Sequence, residues 1–214
     1  MYPLTHGFPE AVDIIRTKPT LDEGIPALLA RCAEHFPSPG WDMLTERQIR
    51  EEATEVAECF VHDVETYPIP ADIDVLVIAP WEVPQGFDLL GSSTWSTEAS
   101  DWEWMGRETW DYSGSDYVST VVTRALELGE QLGFDDPETH TAESFYDVAS
   151  YLLAVGLFGI YTIGGLQTAG PDIILGASRK ELWLVFGYPD LLHGYILGKY
   201  TREGWESTPS ALLD

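Results

Sequence analysis

Asparagine is missing altogether from this 214-residue chain, lysine occurs three times (Lys18, Lys180, Lys199), and cysteine twice (Cys32, Cys59). Two cysteines in a chain of this length are no disulfide framework, so a hydrophobic core must hold the fold. Both fall on the apolar side of predicted helices and are expected as buried free thiols, because Cys often serves as a small core residue. Met1–Glu10 has neither a basic n-region nor an apolar h-region. No secretory signal is therefore expected, and a cytoplasmic location is. There is no internal repeat, no low-complexity tract, and no H-E-x-x-H, H-x-H, paired-Cys or G-x-S-x-G pattern.

Long apolar runs are scarce too. Val148 to Pro171 contains no charge, but only Tyr151–Ile163 is almost wholly apolar, and Gly164, Gly165, Gln167 and Thr168 follow. A bilayer span needs about 20 predominantly apolar residues. Neither flank, Asp147 or Asp172, offers a basic residue to set an orientation. The stretch reads as a buried core helix running into a glycine turn, and no membrane association is expected.

What the chain has in excess is negative charge: 36 acidic against 11 basic residues, a net −25. The excess is uneven. Between Glu51 and Ser178 lie 24 acids and only two bases, Arg107 and Arg124, so −22 of the net charge falls there and −3 in the rest. Such a surface repels nucleic-acid phosphates and anionic membranes, which excludes direct DNA or RNA binding, and it suits a basic protein partner or a cation. A salt-adapted coat would charge every exposed element alike, so the clustering favours a specific acidic face over the alternative of a salt-adapted housekeeping protein.

Hydrophobic residues make up 44% of the chain, ordinary for a globular protein. The length fits one domain over 1–214, with 1–70 as a helical N-terminal part and 71–214 as an α+β part. Pro26–Phe36 is predicted as a helix, with Ile25, Leu28, Leu29, Cys32, Ala33 and Phe36 on one face, followed by a loop at Gly40–Asp42. Glu46–Tyr67 is the clearest helix. Thr45 and Gln48 form a capping-box pattern before it. Its buried face is Ile49, Ala53, Val56, Phe60 and Val64, and its solvent face is Glu51, Glu55, Glu58, His62 and Glu65. Ile73–Ala79 reads as a buried strand from its aliphatic run. Short strands are expected at Trp102–Trp104 and Thr109–Tyr112.

Asp116–Leu132 is predicted as a helix capped by Ser115, with Val118, Val121, Val122, Ala125, Leu128 and Leu132 buried. A further helix starts near Thr141. Asp172–Ala177 and Glu181–Tyr188 read as a hairpin around Ser178–Lys180, and the chain from Thr201 reads as loop. The fold class is α+β: four to five helices packed on a small mixed or antiparallel sheet with a C-terminal hairpin. Pro80-Trp81 stands where a phosphate loop would follow the strand, which disfavours a nucleotide fold.

Candidate chemistry is sparse. Glu58 and His62 share a helix face with Glu55 and Glu65, but a metal site needs further ligands, and no metal or other cofactor is expected. Cys32/His35 and Cys59/His62 are spaced i, i+3, which alone makes no dyad. Asp101, Glu103, Glu108 and Asp111, set among Trp residues, are the candidate carboxylates for a hydrolase reading, which needs two of them across a cleft. The leading expectation is a non-enzymatic protein that docks on a basic protein partner, such as a toxin or a nucleic-acid-binding protein, in the manner of an immunity-type inhibitor or a mimic of DNA charge. Glu51, Glu55, Glu58 and Glu65 would steer the encounter, with Trp102, Trp104 and Trp110 as contact residues.

Overall fold

A computed structural model describes residues 7–81, 85–93, 110–111, 117–131, 145–187 and 194–208. The fold is α+β, with six helices and a curled mixed sheet among the described residues. The N-terminal helices are α1 (Phe8–Thr17), α2 (Leu21–His35) and α3 (Glu46–Thr66), with a 3-10 turn at Trp41–Met43. Strands β1 (Val75–Pro80) and β2 (Gly86–Ser92) form an antiparallel pair. Short strands β3 (Trp110–Asp111) and β4 (Tyr117–Val118) both pair with β2, and α4 (Thr120–Gln131) follows. One continuous helix runs Phe145–Ala169. It consists of α5 (Phe145–Val148), a π-turn at Ala149–Leu153, and α6 (Ala154–Ala169). The chain then forms α7 (Pro171–Leu175), β5 (Glu181–Gly187), β6 (Gly194–Thr201) and β7 (Gly204–Ser207).

The strand order is β3-β2-β1-β5-β6-β7, with β4 beside β2. Among the described strands only β1 and β5 run parallel, in register from Val75–Trp183 to Ile78–Phe186. Alternation along these strands divides two clusters. Leu76, Ile78, Leu184 and Phe186 join the main core with the helices. Val75, Val77, Val185 and Ile196 form a second cluster on the opposite face. Central strands buried on both faces explain the unbroken aliphatic run of β1.

Helix α6 occupies the centre of the helical layer, and its residues from Ala154 to Ile163 are all buried. The continuous helix Phe145–Ala169 that contains it is long and apolar enough to cross a bilayer, yet 89% of its apolar window is buried inside the protein. It packs against α1, α2 and α3. Close approach requires glycine at the contacts: Gly156 lies under the Leu28 side chain, and a Cβ at Gly165 would come within 2.8 Å of the Phe60 ring.

Several elements differ from the expectation, each for a local reason. Helix α2 begins five residues early, at Leu21, because Thr20 rather than the chain before Pro26 serves as its N-cap. Pro26 is carried inside it. Ala33 is exposed. Residues Trp41–Met43 make a 3-10 turn instead of open loop, with the Trp41 indole donating to the Phe36 carbonyl at 2.7 Å and stacking on Phe145 at 4.2 Å. Gly164 and Gly165 do not turn the chain. The helix runs on to Ala169 and stops at Gly170, whose φ of 79° favours glycine.

Helix α4 starts at Thr120, not Asp116, because Ser119 is the cap: its Oγ accepts the Val122 N–H at 3.0 Å. Tyr117 and Val118 are drawn into the sheet, and Val118 is exposed rather than part of a buried stripe. The expected cap Ser115, and the residues around Thr141, lie outside the described residues.

Residues 171–175 form a helix, not a strand, with Pro171 in its first turn. Strand β5 therefore has no hairpin partner before it. It pairs with β1 on one side and with β6 on the other. The C-terminal hairpin is β6–β7, and its second strand is formed by chain expected as loop after Thr201. Strand β2, unforeseen in the sequence, completes the β1 edge. Cys32 is buried as expected, but Cys59 is exposed. Three residues after Val56, it falls on the solvent side of the α3 stripe.

Candidate functional site

Helix α3 carries the candidate surface. Its capping box is formed: Thr45 Oγ1 accepts the Gln48 N–H at 3.3 Å, and Gln48 Oε1 accepts the Thr45 N–H at 3.2 Å. This fixes the helix phase from its first turn. Ile49, Ala53, Phe60 and Val64 are buried and Val56 is half-buried, while Glu51, Glu55, Glu58, His62 and Glu65 are exposed.

The exposed acids are not equivalent. Arg47 Nε lies 3.7 Å from Glu51 Oε1, and Arg50 pairs with Asp22 and Glu46. The first turns of α3 are thus partly neutralised, which the expected binding set did not anticipate for Glu51. Beyond Arg50 the helix has no base, and among the described residues none pairs with Glu55, Glu58 or Glu65.

A depression lies on each side of this acidic ridge. The first, about 200 Å³, is lined by Gln48, Glu51, Glu52, Glu55, Thr120 and Arg124 among others. The second, also about 200 Å³, is lined by Ala53, Thr54, Ala57, Glu58, Ile160 and Gly164 among others.

Glu52 marks the floor of the first depression and is buried, at 6% exposure. Its Oε1 accepts the Ser119 hydroxyl at 2.5 Å and the Tyr161 hydroxyl at 3.0 Å. Its Oε2 accepts the Thr120 hydroxyl at 2.5 Å and the Val121 N–H at 2.9 Å. A carboxylate offers about four acceptor sites, and all four are taken. Glu52 therefore has no lone pair left for a metal or a substrate proton. It is a latch that satisfies the N-terminus of α4 and ties it to α3 and α6.

Three turns along, Asp63 accepts the Tyr117 hydroxyl at 3.1 Å, pinning β4 to the same helix. Sequence reading overlooked Glu52. The available signal was its position three residues after Ile49 and four before Val56, on the edge of the apolar stripe.

A second ionic cluster joins α1 to α2. Arg31 grips Glu10 through two nitrogens, at 2.8 and 3.1 Å, and His35 Nε2 lies 2.6 Å from Glu10 Oε2. Burial raises the Glu10 pKa, but the hydrogen bonds and charges of Arg31 and His35 outweigh it and hold the carboxyl below its ordinary value.

The structure places the remaining sequence candidates as follows. Trp110 is half-buried on β3, packs on the main core and lies against Gly91. Asp111 is the next residue of that strand. Trp102, Trp104, Asp101, Glu103 and Glu108 lie outside the described residues. Among the described residues no group of three His, Cys, Asp or Glu side chains gathers where a metal could sit, and Glu58 with His62 lacks a third ligand. Cys32 is wholly buried, which pushes its thiol pKa far up and keeps it protonated. What the α3 edge can do chemically is attract and hold cationic groups. The chain matches no protein-family model, no curated protein and no solved structure.

Proposed function

We propose that this is a non-enzymatic binding protein that docks on a basic protein surface through the exposed edge of α3. The observation that carries this reading is the run of three exposed acids, Glu55, Glu58 and Glu65, paired with no base among the described residues, along a well-capped helix in a chain of net charge −25. Glu55 and Glu58, spaced i, i+3, repel by a few tenths of a kcal/mol, and no described base forms an ion pair with either. A cationic partner would. A nuclease or another nucleic-acid-binding protein has a surface of the required sign, which makes inhibition by occupying that surface the natural form of the activity.

Glu52 supports a binding rather than a catalytic role, because its four acceptor sites are all used within the fold. The full chain, tagged and cross-linked to its partner in cells, supplies that partner for kinetics. Converting Glu55, Glu58 and Glu65 to Lys should slow association at low salt by about tenfold and flatten its salt dependence. An unchanged rate and an unchanged salt slope would refute the α3 edge as the docking surface.

A further inference from the structure

Glycine inside a helix weakens it relative to alanine, so each helical glycine needs a reason. In α6, Gly156 has one in Leu28, Gly159 in Ile15 and Gly165 in Phe60, since a Cβ at any of these would collide with the facing side chain. Gly164 has none: a Cβ there would meet nothing within 4 Å. The space above Gly164 is a groove between α2, α3 and α6. Two adjoining depressions, of about 200 and about 390 Å³, share Leu21, Ile160, Gly164 and Thr168 in their walls. Cavities of about 150 Å³ accept a benzene-sized ring. Glu58, which pairs with no described base, lines the same groove, while at its far end Asp22 is paired with Arg50 of the same wall.

From this geometry we infer that the groove over Gly164 receives one large apolar side chain of a basic segment, whose flanking Lys or Arg residues lie on Glu58 and its neighbours on α3. The inference rests on the proposed function and adds what the acidic ridge cannot supply by itself. Charge brings partners together, whereas a buried apolar anchor beside the charges slows their separation. Glycine at position 164 keeps the receiving space empty. A second copy of this chain is a poor occupant, because two bodies of charge −25 repel one another.

The test uses the full chain and three synthetic peptides, with calorimetry at low salt. One is a Lys/Arg-rich peptide with a central Phe, one is its Phe→Ser counterpart, and one is a counterpart with Gln for every Lys and Arg. The Phe peptide should bind about tenfold more tightly than the Ser peptide, the scale for partly burying one large apolar side chain. Gly164→Met, which fills the groove, should abolish that difference while leaving the Ser peptide's weak, salt-dependent binding intact.

Equal binding of the Phe and Ser peptides to the unaltered chain, or a preference that survives Gly164→Met, would overturn the inference. Full affinity for the neutral peptide would overturn its basic component and mark the groove as a site for an uncharged ligand. Glu55→Lys with Glu65→Lys, both outside the groove, tests the ridge separately. Should those changes leave the Ser peptide's binding untouched, the ridge reading fails even where the Phe preference stands. If Gly164→Met does not fold, methyl shifts of Leu21 and Ile160 on adding the Phe peptide decide, and their absence would refute the groove.

Discussion

Deep inside the molecule the Tyr161 hydroxyl of α6 donates to the Glu52 carboxylate of α3 at 3.0 Å, with Tyr161 1% and Glu52 6% exposed. Together with Ser119, Thr120 and the Val121 N–H, this joins the centre of the helical layer to the start of α4. Glu52→Ala would leave three hydroxyls and a backbone N–H without their acceptor. The expected destabilisation is about 3–5 kcal/mol, because each buried unsatisfied group costs about 1–3 kcal/mol and some recover partners. Tyr161→Phe should cost about 1.5–3 kcal/mol, the range for a hydrogen bond to a charged group. Urea unfolding of both single variants and the double variant measures it, and the double should fall well short of the sum.

Neighbouring glycines of α6 should respond in opposite directions. Gly164→Ala should stabilise by about 0.5–1 kcal/mol, since helix propensity improves and the new methyl meets nothing. Gly165→Ala should destabilise by about 1–3 kcal/mol, since its methyl would press on Phe60. Thermal or urea unfolding separates the two within one experiment.

Thiol chemistry should distinguish the cysteines completely. Cys59 is exposed and Cys32 is wholly buried, with burial raising its pKa. Native protein treated with a maleimide at neutral pH should take up one equivalent, at Cys59, as read by peptide mass. Unfolding should release the second. A label at Cys59, beside Glu55 and Glu58, would also report docking on that helix edge.

The two pH limits of stability have different causes. Glu10 has a folded pKa below its ordinary 4.5, because its hydrogen bonds and charge contacts with Arg31 and His35 outweigh burial. Its contribution is present above pH 4.5 and is lost as pH falls through the lower folded value. Glu10→Gln should therefore flatten the acid side of the stability curve.

Tyr161 lies on the other side. Burial first, then the Glu52 charge and hydrogen bond, raise its pKa well above the ordinary 10.0. Its contribution is complete below pH 10 and is lost as pH rises from there toward the folded value. Tyr161→Phe should blunt the alkaline loss, and tyrosinate absorbance should show Tyr161 ionising only with unfolding.

Much of this was legible in the residue pattern. The α+β class followed from mixed periodicities, the α3 boundaries from the Thr45–Gln48 capping box, and its exposed acids from the 3.6-residue period, because each of these is set by local geometry. Local rules also misled. Asp172–Ala177 reads as a strand of a hairpin, yet residues 171–175 form a helix, because a short apolar run carries no period to separate the two. Val118 looked like part of a helical stripe, but pairing of β4 with β2 claimed it.

What the sequence determined by itself was the amount of charge, its concentration between Glu51 and Ser178, and the face of α3 that shows it. Tertiary structure alone decided that Glu52 is a saturated internal latch while Glu55 and Glu58 pair with none of the described bases. It alone set an unfilled groove beside Gly164. The physical reason is that charge and helical phase are properties of neighbours in the chain. Hydrogen-bond saturation and empty space depend on residues such as Ser119, Ile160 and Tyr161, which reach α3 from more than sixty positions away.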